Sequence, residues 1–108
     1  MFRACNKGFQ ISFDNGYTVS VMFGYNNYCA NRRDETIRNA PETTSPNAEF
    51  AVFETDNPRS YVYADTPDGG YNGGWASPEK VAAATDAVAK AEAGKSESLR
   101  EQLAVIFQ

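Results

Sequence analysis

The chain has 108 residues, 42% hydrophobic and 22% charged, with seven Phe, six Tyr and one Trp; this fits one globular domain and excludes a disordered segment. The net charge of −4 is uneven: residues 1–40 carry five Lys/Arg against three Asp/Glu, and residues 41–108 carry five against eleven. The acidic remainder argues against direct nucleic-acid binding, which needs basic surface to release counterions.

The first periodic segment, Gly8-Phe9-Gln10-Ile11-Ser12-Phe13, alternates apolar and polar residues, and so does Tyr17-Thr18-Val19-Ser20-Val21-Met22-Phe23 after Asp14-Asn15-Gly16. Period-two patterning with aromatic and β-branched residues predicts two half-buried strands in an antiparallel hairpin that opens the fold. Asn-Gly ordinarily marks a two-residue turn, but that register would put Phe9, Ile11 and Phe13 opposite in face to Tyr17, Val19 and Val21. A three-residue loop with a bulge at Gly16 pairs Phe13 with Tyr17, Ile11 with Val19 and Phe9 with Val21, aligning all six on one face. Burial at about 25 cal/mol per Å² outweighs the preference between turn types, so the bulged loop and a core role for all six are expected.

Gly24–Arg33 is rich in Asn and Tyr, and Asp34–Pro46 reads as a surface excursion with a short helical turn near Glu35–Asn39. Ala48–Glu54 and Ser60–Ala64 read as a third and fourth strand, with the turn at Asp56-Asn57-Pro58-Arg59. Asp65–Gly74 is a glycine-rich loop, and Gly74-Trp75-Ala76 an extended piece that caps the sheet. Ser77-Pro78-Glu79 is a helix start with Ser77 as N-cap, and that helix runs to about Glu92 with Gly94 as its stop. Its apolar stripe, Val81, Ala84, Val88 and Ala91, is thin. Ser96 is expected to cap a second helix carrying Leu99, Leu103 and Ile106, with Phe107 either joining that stripe or left outside it. The predicted fold is a single α+β domain over residues 1–108: an antiparallel sheet of four to five strands, with one or two C-terminal helices packed on one face.

Chemistry is sparse. The chain has no His, which removes the usual general base at neutral pH and the Ser–His and Cys–His pairs. Cys5 and Cys29 are too few for a structural zinc site and read as buried free thiols. Glu49, Glu54, Asp56, Asp65 and Asp68 match no calcium-loop spacing and read as solvated charges. Gly69-Gly70-Tyr71-Asn72-Gly73-Gly74-Trp75 precedes a helix but matches no phosphate-binding pattern; it reads first as a flexible loop with Trp75 as a core anchor, and Tyr71 and Trp75 are the candidate contacts of the alternative, a ligand loop. No catalytic residue, metal or cofactor is assigned, and an enzyme is disfavoured. The strongest candidate is the Tyr25, Asn26, Asn27, Tyr28, Arg32, Arg33 and Arg38 cluster, where Tyr and Asn supply adaptable contact area and Arg forks onto carboxylate or phosphate. The bland alternative is a polar connection whose tyrosines fold back on the core.

No apolar run approaches the roughly 18 residues that span a bilayer, and Met1–Lys7 lacks the apolar stretch of a secretory signal. A cytoplasmic protein with no membrane contact is expected. A hairpin edge left exposed would offer a route to a homodimer.

Phe9–Val21, with Phe23-Gly24 and Asn27-Tyr28-Cys29, resembles the opening of a family of small bacteriophage-encoded proteins. Glu49–Phe53, Gly74-Trp75 and Ser77–Val81 are similar to the remainder of that family, and together the stretches cover about half the chain. The resemblance transfers no catalytic residue. It implies a phage accessory protein in the bacterial host cell that binds a host protein or protein complex, such as an antiviral defence component of the CRISPR kind. Sequestration of a nucleotide signal and a minor virion or assembly role are the alternatives.

Overall fold

The computed structural model describes residues 1–63 and 73–108; Tyr71, Asp65, Asp68 and most of the glycine-rich stretch lie outside the described residues. Five strands, β1 (Phe2–Cys5), β2 (Gly8–Ser12), β3 (Tyr17–Met22), β4 (Glu49–Glu54) and β5 (Asn57–Tyr63), form one antiparallel sheet in chain order. Helices α1 (Pro78–Lys90) and α2 (Ser96–Ile106) follow. The α+β class is as expected, but the Gly8–Phe23 hairpin is preceded by another. β1 pairs with β2 across a turn at Asn6-Lys7, a strand too short for period-two patterning to mark.

The β2–β3 register is the bulged one. Phe9 faces Val21 and Ile11 faces Val19, Phe13 N–H donates to the Tyr17 carbonyl at 2.9 Å, and Gly16 takes φ +92°. A left-handed residue at that point lets the strands leave the loop in register.

Tyr17, Val19 and Val21 on β3, Phe50 and Val52 on β4 and Val62 and Tyr63 on β5 pack with Ala84, Val88, Leu99 and Leu103 of the helices. The helices therefore cover one face, here the front face, with α1 on β3 and α2 on β5. Phe107 joins this core, its ring 5.2 Å from Tyr63 and 5.3 Å from Phe50. On the back face, Thr18 and Ser20 are also buried. Thr18 Oγ1 lies 2.8 Å from both Ser12 Oγ and Thr55 Oγ1, so its polarity is satisfied within the sheet.

β2, β3 and β4 are each one residue shorter than expected, and the bounds of β5, α1 and α2 also shift. β5 begins at Asn57 rather than Ser60, because Thr55-Asp56 makes the turn and Pro58 enters an edge strand with shifted register, where a missing N–H costs no ladder bond. α1 ends at Lys90, with Ser77 Oγ accepting from Lys80 N–H as the expected N-cap. α2 is capped by Lys95 without a side-chain bond, and Ser96 is already helical. Both cysteines are free, Cys29 buried and Cys5 half-buried, so only one of the two thiols sits in the interior.

Candidate binding site

The chain between β3 and β4 folds into a knot of hydrogen bonds. Asn27 Oδ1 accepts from Gly24 N–H at 3.0 Å, and Asn31 Nδ2 donates to the carbonyls of Phe23 and Thr44. Asn47 Oδ1 accepts from Ala30 N–H at 2.7 Å. Asn26 adopts φ +70°, a region Asn tolerates better than most residues. Its N–H donates to the Arg32 carbonyl, and its own carbonyl accepts from Arg32 Nη1. The side chains of Asn27, Asn31 and Asn47 are thus spent on shaping the loop, whereas Asn26 enters the network through its main chain alone and is exposed.

The aromatic and cationic residues sort into two stacks. The Arg38 guanidinium lies 5.1 Å and the Lys7 ammonium 5.7 Å from the centre of the Tyr25 ring, and the Tyr25 hydroxyl donates to Glu35 at 3.2 Å. The Arg32 guanidinium sits 4.3 Å over the Tyr28 ring, which is 5.9 Å from Trp75. Such stacks contribute about 0.5–1 kcal/mol each at exposed sites. Arg33 is exposed and makes no hydrogen bond or ion pair to a described residue.

Glu49 is not the solvated charge its spacing suggests: Oε2 accepts from Tyr28 N–H at 2.7 Å. Trp75 N–H donates to the Tyr28 carbonyl at 2.8 Å, and Ala48 and Ala76 exchange two backbone bonds. These contacts hold Trp75 at φ +49° with half its surface exposed, so it is not the core anchor expected of it. A bulky residue there is strained, and such strain persists only where the surroundings impose it.

A concave apolar surface lies elsewhere, on the front face. Helices cover β3 to β5 and leave β1 and β2 open, so Phe2 is 81% and Phe9 38% exposed. Phe9, Ile11 and Phe13 form the floor of an open groove of about 840 Å³, and Val81, Ala82 and Ala89 of α1 form one wall. Asp86 is its one charged lining residue among those described. Ala48 and Ala76 close the end next to Trp75. The expected core role of the six hairpin residues holds for Tyr17, Val19 and Val21, whereas Phe9 lines the groove and Ile11 and Phe13 are half-buried there.

No family model, no curated protein and no solved structure matches the chain. Geometry and chemistry alone therefore carry the functional reading. Residue types do not reveal the groove, because its residues look like ordinary core. The available signal was a mismatch of widths: a helix stripe of Val81, Ala84, Val88 and Ala91 is too narrow to cover two aromatic-rich strands. Among the described residues, no helix is long and apolar enough to cross a membrane.

Proposed function

We propose that this chain is a non-enzymatic bacteriophage accessory protein that binds a host protein and blocks it, with an antiviral defence component as the target. The observation that carries the binding reading is the open apolar groove with Phe2 and Phe9 exposed on its floor. Contiguous apolar surface of this kind is characteristic of interaction sites. Two uncovered strands at about 4.8 Å spacing span roughly the 10 Å diameter of one helix. Val81, Ala82 and Ala89 keep the α1 wall low, which suits helix axes about 8–10 Å apart.

The occupant is an amphipathic helix of the host protein, with apolar anchors at i, i+3 or i+4, and i+7. Asp86, the charged residue of the lining, favours a basic flank on that helix. Its surface pairing with Lys90 at 3.0 Å is weak enough to exchange. Blocking a host protein in this way needs no catalytic group on the phage side.

The test is a phage plating assay in bacteria carrying an antiviral defence, with and without the chain. Expression should restore plating of a targeted phage. Phe9→Asp and Ala82→Glu should abolish the effect while keeping the melting temperature of Ala82→Glu near that of the parent. Full activity of both variants would place binding elsewhere, and no rescue against any defence tested would overturn the inhibitor reading.

The nucleotide-sequestering alternative rests on Trp75, whose half-exposed ring beside Tyr28 and Arg32 offers a stacking face. A rise in melting temperature with nucleotide, lost in Trp75→Ala, is its expected signature.

A further inference from the structure

The two edges of the sheet are built differently. β5 carries Pro58 and Arg59, and its pairing with β4 shifts register twice, features that discourage another strand from adding. β1 has no proline and no shift, and pairs with β2 in unbroken register from Phe2–Ile11 to Cys5–Gly8. Among the described residues no strand lies beyond it, and Phe2, Arg3 and Ala4 are exposed.

The hydrogen-bond phase of that edge follows from its first pair. Met1 and Ser12 bond reciprocally, the Met1 amino group to the Ser12 carbonyl at 2.7 Å and Ser12 N–H to the Met1 carbonyl at 2.8 Å. In an antiparallel ladder bonded and non-bonded pairs alternate, so Arg3 and Cys5 turn their peptide groups toward β2. Phe2 and Ala4 turn theirs outward, to the open edge.

We propose that β1 is a pairing edge and that its occupant is a second copy of this chain, joined β1 to β1 in antiparallel fashion about a two-fold axis. Only registers that keep front residues opposite front residues are allowed. Setting Ala4 opposite Ala4 of the second copy uses the outward Ala4 peptide groups reciprocally and brings Phe2 opposite Asn6 of the β1–β2 turn. It places Phe2 diagonally against Ala4 of the second copy, and Arg3 opposite Cys5 on the back face. The neighbouring register would oppose Arg3 to Arg3, a like-charge pair that destabilises a sheet. The assembly closes at two copies because the remaining edges are the blunted β5 strands. Pairing also joins the two grooves into one apolar floor four strands wide, with an α1 helix along each side.

Sedimentation of the full chain up to about 1 mM, which detects dissociation constants up to about that concentration, should show a monomer–dimer equilibrium. Ala4→Pro removes an outward N–H and leaves the β1–β2 ladder whole, so it should sediment as a monomer with an unchanged melting temperature. Amide exchange of the unmodified chain gives an independent reading, in which Ala4 should gain protection with concentration while Arg3 and Cys5 do not. A chain that stays monomeric at the highest concentration would overturn the proposal. So would a dimer in which Ala4 gains no protection. A monomeric chain would leave the groove proposal untouched, since the groove is complete within one copy.

Discussion

The side-chain amide of Asn15, in the β2–β3 loop, donates to the Val88 carbonyl in the last turn of α1 at 2.7 Å. The same nitrogen donates to the Ala91 carbonyl at 2.9 Å, and Asn15 Oδ1 accepts from Tyr17 N–H at 3.2 Å. A residue that reads as turn chemistry is therefore a tertiary C-cap, tying the hairpin to the end of a helix more than seventy positions away. The last carbonyls of a helix lack intrahelical donors and carry its partial negative charge. Asn15→Ala should cost about 1–2 kcal/mol in chemical denaturation, the net value of the lost bonds. Asn15→Asp should cost more at neutral pH, because a carboxylate would face two carbonyls at the negative end of the dipole. That excess should shrink as pH falls and the new carboxyl protonates; a pH-independent difference would show that charge is not its source.

Tyr17 offers the opposite case. Its hydroxyl is buried and has no hydrogen-bond partner among the described residues. An unpaired buried hydroxyl carries a desolvation cost of about 1–3 kcal/mol. Tyr17→Phe keeps the ring that packs with Val19 and Val21 and removes the cost. Denaturation should find the variant more stable than the parent, and a loss of stability would reveal a partner for the oxygen.

β2 and β3 were legible from sequence because both alternate plainly, and the requirement that Phe9, Ile11 and Val19 share a face fixed the register. β4 was legible as an apolar run whose pattern does not say which face is buried. β1 is too short to show a period, and its pairing depends on β2 already being in place. β5 starts earlier than its residue types suggest, because Pro58 reads as a turn residue while an edge strand admits it. In the loop, residue type pointed to the right neighbourhood. It did not separate Tyr25 and Tyr28, which hold cations on their rings, from Asn27, whose side chain bonds the loop backbone. The groove was hidden because exposure depends on what the helices fail to cover, a tertiary property. Glu49 was invisible as a positioning residue because its partner is a backbone N–H.

Gly16 tests the register directly. Its φ of +92° lies where a side chain is disfavoured, although a Cβ there would meet nothing within 4 Å. The cost of Gly16→Ala is therefore conformational, about 1–2 kcal/mol, with no steric part. Gly16→Asn should recover part of it, since Asn tolerates the left-handed region. Equal losses for the two variants in thermal unfolding would point to a contact rather than to backbone conformation.

Glu49 links the sheet to the Tyr28–Arg32–Trp75 stack, because its carboxylate is the acceptor for Tyr28 N–H and Trp75 in turn donates to the Tyr28 carbonyl. Glu49→Ala leaves that N–H without its protein acceptor, a local cost of about 1–3 kcal/mol. Since 1.4 kcal/mol corresponds to about tenfold in an opening equilibrium, the Tyr28 amide should exchange about ten- to a hundredfold faster. Trp75 is the one tryptophan of the chain, so its fluorescence reports the same loosening as a red shift. Glu49→Gln retains a carbonyl acceptor and should restore most of the protection. If the alanine and glutamine variants behave alike, charge rather than the hydrogen bond holds Tyr28 in place.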